Sequence, residues 1–164
     1  MAPSSTLNTI GSLITEKLRM MMGVPSEPIV FKVEEGAIQR YAQAIGDSNP
    51  LFNDIENAGK NKHGRLICPP GFTGWPIKGG ISFIKLVDSL IKAGAPPRLL
   101  DGGVEFEFFE PIGAGDVLTA TTKITNMVER ETKMGKMMFT KVETAFLKQN
   151  GNVVLKSWST MIQF

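Results

Sequence analysis

The chain has 164 residues, 42% of them hydrophobic and 21% charged, with a net charge of +2. This is the composition of an ordinary globular domain, and the weak charge, without a stripe of basic and aromatic residues, argues against nucleic-acid binding. The single cysteine, Cys68, cannot form an internal disulfide, which indicates a reducing compartment. No apolar run approaches the roughly 20 residues that span a bilayer, and no secretory pattern is seen. We therefore expect a cytoplasmic protein with no membrane or nucleic-acid partner.

The first part of the chain is predicted to be helical around one short strand. Apolar residues recur at helical spacing between Leu7 and Met21, which predicts a helix that ends near Gly23. Residues 29–33 are predicted to form a strand. Residues 34–45 place their apolar side chains on one face and are predicted to form a second helix.

The middle of the chain predicts a long loop followed by an apolar helix. Residues 46–80 are rich in Gly, Pro, Asn and Lys and show no periodicity. An irregular segment of that length in a compact domain is often functional. Residues 81–93 have so wide an apolar stripe that we expect this third helix to be nearly buried.

The remainder predicts an antiparallel sheet. Val104, Phe106 and Phe108 alternate with glutamates, which is the period of a half-buried strand. Longer strands are predicted over residues 117–131, 137–149 and 152–164. Between the last two, Asn150-Gly151 is expected to form a type I′ turn. The pattern by itself indicates an α+β fold.

Four segments carry a family resemblance, and they are Gly46-Asp-Ser-Asn-Pro50, Leu66-Ile-Cys-Pro-Pro-Gly-Phe72, Gly103-Val-Glu-Phe-Glu-Phe108 with Gly115-Asp116, and Val128-Glu-Arg130. In this order they resemble the MaoC-like (R)-specific enoyl-CoA hydratases and 3-hydroxyacyl dehydratases, in particular the MaoC N-terminal or FAS1-like dehydratase branch. The resemblance implies a hot-dog fold, an antiparallel sheet wrapped around a central helix, over residues 29–164. Residues 1–28 would form an N-terminal helical extension.

The resemblance also implies a hydro-lyase activity, the reversible addition of water to a 2-enoyl thioester. Coenzyme A or an acyl carrier protein would be part of the substrate, and no separate cofactor or metal is expected. Such a reaction needs a base, an acid and donors for the thioester oxygen. In the family an Asp and a following His handle the water. Here Asp47 and Asn49 match the motif, but Phe52 stands at the His position and cannot transfer a proton.

Four positions are candidates for the chemistry that this reaction requires. Asp47 could orient or deprotonate water and Asn49 could hydrogen-bond a substrate, although both residues also suit a turn after a helix. His63, the only histidine, could replace the lost partner if its loop folds over the site, or it is simply solvated. The backbone N–H of Gly71 is our candidate donor to the thioester oxygen, and a rigid loop is the alternative.

Two groups of residues are candidates for binding the substrate. The basic side chains of one loop could contact the phosphates of coenzyme A, or be solvated; they are Lys60, Lys62 and Arg65. Large apolar side chains could line an acyl tunnel, or belong to the core; they are Phe52, Phe72 and Trp75.

Three functions remain open on the sequence. The chain could be a hydratase or dehydratase that acts through Asp47. It could be an acyl-binding subunit that needs a homologous partner to supply the Asp and His. It could also be a hot-dog binding or scaffold protein without turnover. Because hot-dog chains usually pair edge to edge and so cover an exposed edge strand, we expect a homodimer or a heterodimer with another hot-dog chain.

Overall fold

The computed structural model describes residues 11–73 and 80–164. The described elements are α1 (Glu16–Met21), β1 (Ile29–Lys32), α2 (Glu35–Ala44), α3 (Pro50–Asn53), α4 (Ile55–Ala58), α5 (Gly80–Lys92), β2 (Leu99–Phe108), β3 (Val117–Thr132), β4 (Gly135–Lys148) and β5 (Val153–Gln163). None of the described helices is long and apolar enough to cross a bilayer. The predicted second helix and the predicted strands are confirmed to within a few residues at their ends.

The strands form one antiparallel sheet in the order β1-β3-β4-β5-β2, so that β1 and β2 lie at its edges. Alternate side chains point to opposite faces of a strand, and one face of this sheet packs on the helices. At one end, Phe146 and Leu155 pack with Ile38 of α2. At the other end, Val142 and Met161 belong to the same cluster as Leu90 of α5. The sheet therefore has a helix-covered face and an outer face.

The first helix is shorter than predicted in the described part of the chain. Thr15 is its N-cap, because the Oγ1 atom of Thr15 accepts a hydrogen bond from the backbone N–H of Leu18 at 3.2 Å. The same hydroxyl donates to the carbonyl of Ala93 at 2.7 Å, which joins the start of α1 to the end of α5. Residues 1–10, where the predicted helix begins, lie outside the described residues.

A carboxylate holds the N-terminal segment on the hairpin of β3 and β4. The side chain of Glu129 accepts hydrogen bonds from the Ser12 hydroxyl and, at 2.8 Å, from the Ile14 N–H. Desolvation raises the pKa of Glu129, but these hydrogen bonds and the nearby Lys136 lower it by more. The net result is a pKa below the usual range of a glutamate. Ile14 and Leu18 are buried in the core cluster around α5. Residues 11–21 therefore pack into the same body as the sheet.

Two local predictions are wrong. Helix α5 is not nearly buried, because Leu90 is enclosed whereas Ile84 is 66% exposed. The sheet covers only one side of α5, and the apolar stripe of this helix is wider than the surface that the sheet covers. A type I′ turn needs positive φ at both central residues, here Asn150 and Gly151. Gly151 has φ +84°, but Asn150 does not meet the requirement, because no described residue other than glycine has a positive φ. A register shift of the hairpin between Phe146 and Leu147 accompanies this different loop.

Candidate functional site

The segment that carries the family motif folds into a tight turn after α2. Gly46 ends the helix with φ +71°, a conformation that glycine adopts without strain. The Oδ1 atom of Asp47 accepts a hydrogen bond from the N–H of Asn49 at 2.9 Å. The Oδ1 atom of Asn49 in turn accepts from the N–H of Leu51 at 3.0 Å and caps α3. Both polar side chains therefore hold the backbone of the turn.

The carboxylate of Asp47 is only partly engaged in this turn. It is half-buried, and its backbone carbonyl accepts from the Nδ2 atom of Asn53 at 2.6 Å. Among the residues that the structure describes, its second oxygen, Oδ2, accepts no hydrogen bond. That oxygen can therefore bind a water or a substrate. The catalytic roles of Asp47 and Asn49 stay predictions.

Phe52, at the position of the family His, belongs to the hydrophobic core. Its side chain is 8% exposed and clusters with Ile38, Leu66 and Phe72. Its N–H donates to the carbonyl of Asn49 at 3.0 Å, within the single turn of α3. A phenyl ring can neither donate nor accept a catalytic proton. Its predicted contact with an acyl chain stays a prediction.

The loop that carries His63 is held by its own asparagine. The Oδ1 atom of Asn61 accepts from the N–H of His63 at 2.7 Å, and its Nδ2 donates to the carbonyl of Arg65 at 3.0 Å. No hydrogen bond or ion pair joins the side chains of His63 and Asp47 within residues 11–73 and 80–164. Lys60 and Lys62 are exposed on this loop. The roles of these residues stay predictions.

Arg65 forms a bidentate ion pair with a buried carboxylate. Its Nη1 and Nη2 atoms lie 2.6 and 3.0 Å from the two oxygens of Asp116. Asp116 is 2% exposed and also accepts from the N–H of Gly113 at 2.9 Å. The Nζ atom of Lys148 lies 3.5 Å from the same carboxylate. We call this pair the Arg65–Asp116 clamp. It joins the basic loop to the connection between β2 and β3. The guanidinium that we predicted to bind phosphate is thus already paired with a carboxylate.

Gly71 occupies the third position of a turn. The N–H of Phe72 donates to the carbonyl of Pro69 at 3.0 Å, and Gly71 has φ +86°, as a type II turn requires. This turn does not use the N–H of Gly71, which is compatible with its predicted role as a donor. A Cβ atom on Gly71 would lie 3.2 Å from the hydroxyl of Tyr41. Trp75 lies outside the described residues.

Tyr41 is a site residue that the sequence pattern assigned only to a helix face. Its ring stacks on Phe72 with centroids 4.7 Å apart and an angle of 18° between planes. Its hydroxyl is thereby placed beside Gly71. The apolar stripe of α2 includes Tyr41, but no local pattern indicated that this stripe contacts the turn at Gly71.

An open cleft of about 250 Å³ lies where strand β2 ends. It is lined by Cys68, Pro70, Phe108, Phe109, Glu110, Pro111 and Ile112. These residues come from two segments that are distant in sequence, so no local pattern predicted the cleft. Its walls are mainly apolar, as is usual for sites that bind small molecules. The described residues include no group of three or more metal-ligating side chains.

Cys68 is expected to be unreactive in the folded protein. Burial raises the pKa of the thiol to about 12, Asp116 acts in the same direction, and Arg65 opposes both. Since the thiolate is the reactive form, Ellman's reagent at about pH 8 should react with the native chain about 100- to 1,000-fold more slowly than with the unfolded chain. The folded thiol binds its proton more tightly than the unfolded thiol does, so Cys68 makes the stability of the fold depend on pH. Its contribution to stability is fully present below pH 9.0, the unperturbed pKa, and is lost as the pH rises to about 12, the pKa in the folded chain. Equal labelling rates in buffer and in denaturant would contradict this burial.

Comparison with known proteins agrees with this architecture. Residues 20–157 match the family described as "FAS1-like, dehydratase domain region". A UPF0336 protein of Parafrankia sp. is 27% identical over 140 residues, which cover 82% of this chain and 85% of the relative.

Two crystal structures from Mycobacterium tuberculosis share the fold. The ChsH1-ChsH2 complex matches with a TM-score of 0.72 and 18% identity, over 90% of this chain and 88% of the matched chain. The HadBC complex, a 3R-hydroxyacyl-ACP dehydratase, matches with a TM-score of 0.63 and 18% identity, over 87% and 96% of the two chains. The predicted α+β hot-dog fold is confirmed. With well over half of its length matched, the chain belongs to the FAS1-like dehydratase domain family.

Proposed function

We propose that this chain is the acyl-thioester-binding subunit of a MaoC-like hydro-lyase, and that a second hot-dog chain supplies the Asp and His. The reaction of the complex would be the reversible hydration of a 2-enoyl thioester to an (R)-3-hydroxyacyl thioester. The observation that carries the proposal is the side chain of Phe52, which stands at the family's His position and is packed in the core.

The loss of the His removes one of the two groups that exchange protons with water and substrate. A positioned acid or base typically contributes about 10²–10⁴-fold to the rate. The Oδ2 atom of Asp47 accepts no hydrogen bond from any described residue, but its Oδ1 accepts from the N–H of Asn49. The carboxylate would therefore have to orient water, deprotonate it and return a proton to C2 without an imidazole partner.

The remaining features are those of a binding subunit. The N–H of Gly71, beside the hydroxyl of Tyr41, would donate to the thioester oxygen. The exposed Lys60 and Lys62 would contact phosphates of coenzyme A or of a carrier's phosphopantetheine. Phe108, in the cleft at the end of β2, would contact the apolar part of the substrate.

Two observations support a partner. Among the described residues, β2 has a neighbouring strand on one side only, so the other edge of this strand is open to pairing. Both solved structures reported above are complexes of two named proteins, ChsH1 with ChsH2 and HadB with HadC. By analogy of fold, we infer that this chain also works in a pair.

The test is hydration of crotonyl-CoA, followed by the loss of enoyl-thioester absorbance. The purified chain alone should bind crotonyl-CoA in calorimetry but should not hydrate it. Hydration should appear when a co-purified hot-dog chain that carries both Asp and His is added. In that complex, Asp47→Asn in this chain should leave kcat within about 3-fold, because removal of a true acid or base would cost far more.

The same assay separates the other two functions. Hydration by the chain alone, lost in Asp47→Asn and in His63→Ala, would replace the proposal by a self-sufficient hydratase; the free Oδ2 of Asp47 is the observation in its favour. Binding of crotonyl-CoA with no turnover alone or with any dyad-bearing chain would indicate a binding or scaffold protein.

A further inference from the structure

The edge strand β2 carries charge of one sign. It spans Leu99–Phe108, pairs with β5, and has no second neighbour among the described residues. Its sequence includes Asp101, Glu105 and Glu107 but no lysine or arginine. An open edge is a template for pairing with another chain, and charged side chains on it decide which chains can pair.

The two faces of this edge differ in character. Phe108 pairs with Leu155, which is buried, so Phe106 and Phe108 lie on the helix-covered face. Phe106 is 37% exposed and Phe108 is 46% exposed, so this side of the edge is apolar and open. Glu105 and Glu107 lie on the outer face, where the side chain of Glu105 is 77% exposed. The edge thus offers an apolar anchor on one face and two carboxylates on the other.

A second copy of the chain fits this edge poorly. Antiparallel pairing about a two-fold axis places Glu105 of one copy opposite Glu107 of the other when the axis passes through Phe106. If the axis passes through either glutamate, that residue meets its own counterpart. Like charges directly opposite each other destabilise a strand pair. The chain's own cations, Lys156 opposite Glu107 and Lys141 at 4.0 Å from Glu105, lie on the β5 side and not on the open side.

Hot-dog chains usually pair edge to edge, and β2 is an open edge of this sheet. We propose that Glu105 and Glu107 select which chain pairs there, namely a different hot-dog chain whose facing strand carries lysine or arginine opposite these glutamates. Cross-strand pairs of opposite charge stabilise such an edge, and the same charges reject a second copy. Phe106 and Phe108 provide the apolar contact that both pairings would share. The inference rests on the proposed function only in taking the partner to be a hot-dog chain.

A charge-reversed copy of the same chain supplies the probe. The variant Glu105→Lys, Glu107→Lys presents a basic edge, and its melting temperature should fall by only a few degrees, because the new lysines face Lys156 and lie near Lys141 within the same sheet. In sedimentation velocity, wild type and variant should associate with each other at least about 10-fold more tightly than either associates with itself. The preference should shrink as the salt concentration rises from about 50 mM to about 500 mM, because salt screens exposed charges.

The matched control reverses the same number of charges at positions outside β2. Glu27 and Glu131 are exposed and lie outside β2, so Glu27→Lys, Glu131→Lys should not gain affinity for the wild type. A wild-type homodimer as tight as the mixed pair would overturn the inference, as would equal pairing by the control. Should the double variant fold poorly, Glu105→Lys alone must still show a smaller preference of the same sign. The sedimentation experiment uses no substrate, so its failure would not contradict the hydration proposal. A failed hydration assay would likewise not contradict the selection of a partner by these glutamates.

Discussion

Asp116→Ala is expected to lower the free energy of unfolding by about 3–5 kcal/mol, because it leaves the cationic side of a buried ion pair without its anion. The variant removes the carboxylate that accepts from both Nη atoms of Arg65 and from the Gly113 N–H, and leaves Nη1 only the carbonyl of Ala114 at 3.2 Å. The side chain of Arg65 is 34% exposed and can regain some water, which places the expected loss towards the lower end of that range. Urea unfolding followed by circular dichroism measures the change.

An exposed ion pair provides the control for this experiment. Lys92 and Asp88 on α5 are joined at 2.6 Å, as closely as the clamp, but both side chains are more than half exposed. Asp88→Ala should therefore cost no more than about 1 kcal/mol. A loss of similar size in the two variants would mean that burial does not give the Arg65–Asp116 clamp its importance. The double variant Arg65→Ala, Asp116→Ala should lose less than the sum of the single losses, because the two groups act as one unit.

Phe52→His, which restores the family motif, is expected to destabilise the chain by about 2–4 kcal/mol and to confer no hydration on the chain alone. The change gives up much of the burial of a phenylalanine, which stabilises by about 1.5–3 kcal/mol. It also places a polar ring among Ile38, Leu66 and Phe72, which offer no hydrogen-bond partner. Urea unfolding and the crotonyl-CoA assay are the two measurements.

Phe52→Leu is the matched control, since it keeps the site apolar and should cost about 1 kcal/mol. A histidine variant as stable as the leucine variant would show that the imidazole finds water or a partner. If that variant also hydrated crotonyl-CoA, the chain would contain everything else that catalysis requires, and the proposed need for a partner would be wrong.

The parts of the fold that could be predicted are those with local signals. Helix α2 was predicted because Ile38 and Tyr41 follow a helical period, and β2 because Phe106 and Phe108 alternate with glutamates. The turn at Asp47 was predicted as an alternative to catalysis, and its Oδ1 does hold the backbone. Each of these depends on residues a few positions apart.

The parts that could not be predicted depend on distant residues. Arg65 is separated from Asp116 by 51 positions, and neither shows locally that it is half of an ion pair. Tyr41 reaches Gly71 only because α2 packs against the turn. The width of the apolar stripe of α5 indicated burial, but the sequence contains no signal for how much of that stripe the sheet covers, and Ile84 is left exposed.

The strand order has a consequence for synthesis on the ribosome. Among the described strands, β2 pairs with β5 alone, and β5 is the last of them to be made. While residues 153–163 are still in the exit tunnel, β2 and the cleft at its end have no template to form on, although β1, β3 and β4 can already associate. Chains are made at about 5–20 residues per second and fold from the N-terminus. The folded form of this acidic edge therefore requires β5, so we expect pairing through it to follow the synthesis of residues 153–163.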